Sequence, residues 1–269
     1  MRLLLLSLAV PFLHFSSLSQ TLDSLPKKDN LLYVPKPAQD SIELKQATQS
    51  FPIKSIILPA ALISYGFVAL ETKQMRGWDV SIKNEIREDN PTFHTPVDNF
   101  LQYAPAAAVY GLNAAGIHGL NNFRDRTIIY LMANAMMSIS VESLKKITKV
   151  PRPDGGGTNA FPSGHTATAF VSAEFLRMEY KDISPWYGIG GYAAATATGI
   201  LRMYNNKHWF RDILPGAGFG ILSTRVSYWM YPAIKNHLFR DKPNAPMIMP
   251  YAEPHGGGLA MVYQFKNKV

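Results

Sequence analysis

An all-α fold, a helical bundle of about six core helices, is what the 269-residue sequence predicts, on three observations. Six apolar segments, each longer than a typical strand, lie at residues 56–70, 100–117, 127–141, 166–178, 186–201 and 213–230. None alternates strictly between apolar and polar residues, and Ala, Leu and Met are frequent, which is helix chemistry and not strand chemistry. The apolar content, 47%, is enough for one sizeable core. There is no cysteine, which excludes disulfides, thiolate metal sites and a cysteine nucleophile.

The elements follow in order. Arg2, an apolar stretch over residues 3–13 and then Ser17-Leu18-Ser19 have the layout of a secretory signal peptide, residues 1–19. Residues 20–52 are a polar leader with Pro26, Pro35 and Pro37, and at most a short helix at 41–49. A helical domain is expected over residues 53–236. Between its first two apolar segments, RGWDVSIKNEIRED is amphipathic, with Trp78, Val80, Ile82 and Ile86 on one broad face. The tail, residues 237–269, is rich in Pro and Gly and closes with LAMVYQF, a short strand or an ordered extension.

A membrane span needs about 20 mostly apolar residues. Residues 99–123 and 183–201 carry no charge, the other segments are interrupted sooner, and mean hydropathy is −0.05. Helices in a membrane and buried helices of a soluble bundle both fit. The net charge of +8 suits anionic partners. Nucleic acid is not favoured, because Lys and Arg are scattered and no basic run has interleaved aromatics.

Three clusters carry chemistry. In FPSGHTATAF, Ser163 is a good N-cap behind Pro162, so a helix is expected to start at Gly164 or His165. Its free N–H groups suit a phosphate, and Gly164 lets the ligand come close. In LKKITKVPRPDGGG, Lys145 ends a helix, and Arg152 is held stiffly between Pro151 and Pro153, ready for fork-like binding of phosphate oxygens. In LRMYNNKHWFRD, the YNNK stretch breaks a helix so that Arg202 and His208 can both face inward. Asp212, four residues after His208, can orient the imidazole. Each cluster alone also reads as a structural cap or a surface pair. Together they supply what phosphoryl transfer needs without a metal: cations for the phosphate, an attacking imidazole and a second one to protonate the leaving oxygen.

The order Lys145-x6-Arg152-Pro153, Pro162-Ser163-Gly164-His165, Arg202-x5-His208-x3-Asp212 resembles the three-part signature of the type-2 phosphatidic acid phosphatase and vanadium haloperoxidase superfamily, over about residues 100–230. Leu201 departs from it, since many members have Ser before the third-part arginine. The resemblance implies that His208 is the nucleophile and forms a phosphohistidine. It implies that Asp212 orients His208 and that His165 is the general acid. Lys145, Arg152 and Arg202 would bind phosphate oxygens, with Ser163 and the Gly164 N–H assisting. It also implies an α-helical bundle with the site at one end, no metal or other cofactor, and inhibition by vanadate.

The expected substrate is a lipid-linked phosphate of the lipid A, undecaprenyl diphosphate or phosphatidylglycerol phosphate type, and the expected place is the cell envelope. If the first three segments all spanned from an outside N-terminus, the site would face the cytoplasm. An exported protein with a periplasm-facing site, embedded in or resting on the inner membrane, is favoured. The alternatives are a soluble periplasmic acid phosphatase of broad specificity and a vanadium-dependent haloperoxidase; no protein partner is indicated. His94, His118, His165 and His208 lack the close spacing of a metal site.

Overall fold

The computed structural model describes residues 53–238, 247–253 and 256–262; the expected signal peptide and leader lie outside the described residues. The chain is all-α in its main body. The helices are α1 (Lys54–Glu71), α2 (Lys73–Asp89), α3 (Val97–Leu101), α4 (Ala104–Ala114), α5 (Phe123–Thr148), α6 (Gly164–Tyr180), α7 (Pro185–Tyr204) and α8 (Phe210–Leu238). In the tail, β1 (Met247–Glu253) and β2 (Gly256–Val262) pair antiparallel, from Met247 opposite Val262 to Glu253 opposite Gly256. LAMV of the last apolar run thus lies in a strand.

Helix α6 is the centre of the bundle, packed by α4, α5, α7 and α8. Ala167, Ala169, Val171, Ala173 and Phe175 are all fully buried. Small residues let the partners approach. A Cβ on Gly216 of α8 would stand 2.7 Å from the Ser163 carbonyl oxygen, and one on Gly220 would stand 2.4 Å from that of Ala167. Between them Gly218 faces the other way, where a Cβ would stand 2.7 Å from the Pro59 carbonyl oxygen of α1. These are backbone atoms and cannot swing aside. Gly220→Val is therefore expected to cost about 1–3 kcal/mol or more by overpacking, read as a lower melting temperature.

Helix α5 shows why the ends fall where they do. Asn122 caps it by accepting the Asp125 N–H at 2.9 Å, Lys145 and Lys146 sit in its last turn, and Lys149 turns left-handed at φ 47°. Among the described residues α5 is the helix long and apolar enough to cross a membrane. Its outer face exposes Leu131, Ile139 and Ile147.

Two expectations change. The segment 100–117 is not one helix: it breaks at Gln102–Tyr103, and Pro105 sits in the first turn of α4, where its missing N–H is harmless. The inward stripe of α2 is Met75, Asp79, Ile82 and Ile86, at helical spacing, while Trp78 and Val80 are exposed. Asp79 is the buried residue because it binds Arg211: its Oδ2 lies 2.8 Å from Nη1, and its Oδ1 accepts the Arg211 N–H at 3.1 Å.

Candidate active site

The three clusters meet at one end of the bundle, where α5 and α7 end and α6 and α8 begin. Helix α6 starts at Gly164 with Ser163 as its cap, which accepts the Thr166 N–H and the Thr166 hydroxyl. The Ser163 N–H donates to the Asp212 carbonyl at 3.0 Å, tying the starts of α6 and α8 together. The Lys145 ammonium reaches this corner: a Cβ on Gly164 would lie 3.2 Å from Nζ. Lys146 is exposed, and Lys145 is the one of the two that turns toward this corner. Lys145 is held at 2.9 Å by Glu142, whose side chain is 60% exposed and so easily replaced by another anion.

Arg152 rides in a loop closed at its base by the Ala160 N–H, which donates to the Val150 carbonyl at 3.0 Å. The Trp209 indole N–H donates to the Pro151 carbonyl at 2.8 Å, and Lys83 donates to the Pro153 carbonyl at 2.9 Å. Both flanks of the arginine are thus pinned. Its Nε donates to Asn159 Oδ1 at 2.8 Å.

His208 is buried, and its Nδ1 lies 2.8 Å from the Ala160 carbonyl oxygen. A carbonyl can only accept, so Nδ1 carries the proton of the neutral ring and Nε2 keeps its lone pair. Asp212 Oδ2 is farther, 3.6 Å from Nδ1, and accepts the Trp209 N–H at 2.8 Å. Asp212 therefore neighbours the ring as expected, but the Ala160 carbonyl makes the shorter contact. Burial pushes the His208 imidazole below its ordinary value against the opposing pull of Asp212, with Arg202 and Arg152 adding to the lowering.

His165 stands on the first turn of α6. Burial, and after it the Arg202 guanidinium, hold its pKa down to about 4; His208 and Lys145 act the same way, and Asp98 opposes them. Lys145, Arg202 and His208 are thus within electrostatic reach of His165. Both imidazoles are neutral near pH 7 in the unliganded protein. A histidine depressed in the folded state binds fewer protons than the unfolded chain between about 4 and 6.5, so stability rises with pH through that window. The melting temperature is expected to fall on acidification from pH 6.5 toward 4, and His165→Gln should flatten that slope.

Arg202 is buried at the end of α7 and its Nη1 lies 2.5 Å from Asp98 Oδ2, while its Nε is buried with no acceptor. The sequence reading missed Asp98 and Asn99, the latter 2.8 Å from His165 Nε2 through Oδ1. A signal existed: Asp98 is the last charge before the uncharged run 99–123. Among the described residues no three His, Cys, Asp or Glu side chains are grouped to hold a metal. A cleft lined by Ile82, Lys83, Ile86, Met203 and Trp209 opens beside His208.

The bundle gathers two histidines, three cations and a helix start from these three segments. The model of the PAP2 superfamily matches residues 126–236 of this chain. A lipid A 1-phosphatase of Porphyromonas gingivalis is 39% identical over 151 residues, 56% of this chain and 33% of that protein. The bacitracin transport permease protein BcrC of Bacillus licheniformis is 33% identical over 76 residues, 28% of this chain and 36% of that protein. The chain thus spans about a third of the length of the curated relatives it matches. A crystal structure of a transmembrane PAP2-type phosphatidylglycerolphosphate phosphatase from Bacillus subtilis aligns with a TM-score of 0.47 at 20% identity, covering 69% of this chain and 99% of the other.

Proposed function

We propose that the chain is a metal-independent phosphatase that removes phosphate from a lipid-linked monoester or diphosphate through a phosphohistidine. The observation that carries this reading is the buried His208, whose Nδ1 proton is committed to the Ala160 carbonyl while Nε2 keeps its lone pair among cations. Phosphate oxygens would take the Lys145 ammonium, the Arg152 and Arg202 guanidinia, and the N–H groups at Gly164 behind the Ser163 cap. The orphan Nε–H of Arg202 would gain its acceptor there.

In the first step the Nε2 lone pair of His208 forms a bond to phosphorus, and the bond to the leaving oxygen breaks. That oxygen takes a proton from His165. In the second, water attacks phosphorus, its proton passes to His165, and the P–N bond breaks to free inorganic phosphate and neutral His208. His165 is neutral before substrate arrives. A phosphate dianion against Lys145 and Arg202 offsets the cations that depress the imidazole, so the substrate itself promotes the protonated acid. Asp212 beside the ring stabilises the charge His208 gains.

The P. gingivalis relative's name points to lipid A among lipid phosphates. Exposed Leu131, Ile139, Ile147, Phe100 and Trp186 suit a place in or on a membrane, and we propose the cell envelope with a periplasm-facing site. The test is phosphate release by the purified protein, with EDTA present, from lipid A, undecaprenyl diphosphate, phosphatidylglycerol phosphate and a soluble ester. Release from a lipid, blocked by vanadate, is expected. Efficient turnover of the soluble ester alone would sink the lipid assignment, and bromination with vanadate and peroxide in place of hydrolysis would sink the phosphatase.

A further inference from the structure

We propose that Asn99 is a positioning residue for His165: its amide oxygen accepts the ring's Nε2–H, fixes that tautomer, and leaves Nδ1 as the nitrogen that exchanges a proton with the substrate. The inference rests on the phosphatase reading of the site. Asn99 lies outside the stretch matched by the superfamily model, on a segment that reaches the site from earlier in the chain.

The geometry shows a segment built to be held. Asn205, buried at the end of α7, makes a reciprocal pair of bonds with Thr95: its Oδ1 accepts the Thr95 N–H at 2.9 Å, and its Nδ2 donates to the Thr95 carbonyl at 2.9 Å. Phe93 packs edge-on against Tyr204, with ring centroids 5.4 Å apart. Asp98, fully buried, takes Arg202 at 2.5 Å. On the other side Gln102 Nε2 donates to the Asn99 carbonyl at 2.9 Å. The backbone around Asn99 is thereby tied to the helix that carries Arg202. The exposed Asn99 side chain is the one that goes to His165 Nε2, at 2.8 Å. Adjacent residues of α3 thus serve two site residues, Asp98 the phosphate-binding arginine and Asn99 the proton donor.

A general acid works only if the nitrogen that holds the mobile proton faces the leaving oxygen. An imidazole on a helix's first turn can flip about χ2, and a fixed acceptor on one nitrogen removes that freedom. An amide oxygen suits this task because it is uncharged. A carboxylate in its place would raise the imidazole pKa by charge. The charged and titratable groups acting on His165 are Arg202 from α7, Asp98 from α3, His208 from the loop before α8 and Lys145 from α5.

The experiment is nitrogen NMR of the imidazoles in the full chain, with His165 assigned by its loss in His165→Gln, alongside pH–rate profiles. Wild type is expected as the Nε2–H tautomer, and Asn99→Ala as a mixture. Asn99→Ala should lower kcat by roughly 10-fold or more, a part of what general-acid catalysis contributes, with KM little changed. Asn99→Asp keeps an oxygen acceptor. It should restore the tautomer, recover part of kcat, and move the alkaline limb of the profile to higher pH. A wild-type His165 in the Nδ1–H form would overturn the proposal. So would an Asn99→Ala protein with tautomer and kcat unchanged, or equal kcat losses in both variants with no change at the ring. If wild type releases no phosphate from any substrate offered, the reading of the site fails, while the NMR arm still decides the Asn99 question.

Discussion

His208→Ala is expected to lower phosphate release on the order of 10⁴-fold or more, the scale on which loss of a nucleophile or its activating partner acts in covalent catalysis. The ring is buried and bonded through Nδ1 to the Ala160 carbonyl, so the variant loses both a lone pair and the contact that orients it. Substitution also leaves the Ala160 carbonyl without its donor, which costs about 1–3 kcal/mol if the carbonyl stays dry. The melting temperature of the variant must therefore be recorded with its rate, so that loss of fold is told apart from loss of nucleophile. Trapping with labelled substrate adds an independent sign: wild type should hold acid-labile phosphate and the variant none. A variant within tenfold of wild type would remove His208 from the reaction.

Asp98→Ala is expected to lose about 3–5 kcal/mol of stability, the cost of leaving one member of a buried ion pair alone. The side chains of Arg202 and Asp98 are 8% and 1% exposed, so water does not screen the orphaned guanidinium. Asp98→Asn keeps an acceptor for Arg202 Nη1 and should lose less. Arg202→Met combined with Asp98→Ala should melt above Asp98→Ala alone, because the uncompensated charge is gone with its partner. Melting curves of the three decide it, and equal melting of Asp98→Ala and wild type would mean that the pair is solvated. Activity should fall in all three, since a guanidinium without Asp98 no longer holds its direction.

The core helices were legible because each is a long Ala- and Leu-rich run whose length alone excludes most strands. The break at Gln102–Tyr103 had a signal, Pro105, which a run of apolar residues on both sides obscured. On α2 the error was one of register: Trp78 and Val80 are apolar but stand outside, and the position that turns inward is an aspartate whose partner, Arg211, is 132 residues away. The site divides in the same way. Lys145, Arg152, Ser163, Gly164, His165, Arg202, His208 and Asp212 stand in three local patterns, so their spacing could be read along the chain. What spacing does not carry is the other half of each interaction. The Ala160 acceptor is a backbone carbonyl and has no residue type to recognise. Asp98 and Asn99 meet Arg202 and His165 across 104 and 66 residues, and only packing brings them there.

The pinned prolines beside Arg152 have a thermodynamic consequence. Fixing one residue's backbone takes about 1–2 kcal/mol of conformational entropy. With Trp209 on the Pro151 carbonyl and Lys83 on that of Pro153, this ordering is completed when the chain folds. An arriving anion has to immobilise only the arginine's side-chain rotors, and even these are restrained by Asn159. Anion capture at this arginine thus draws little on the disorder of the loop.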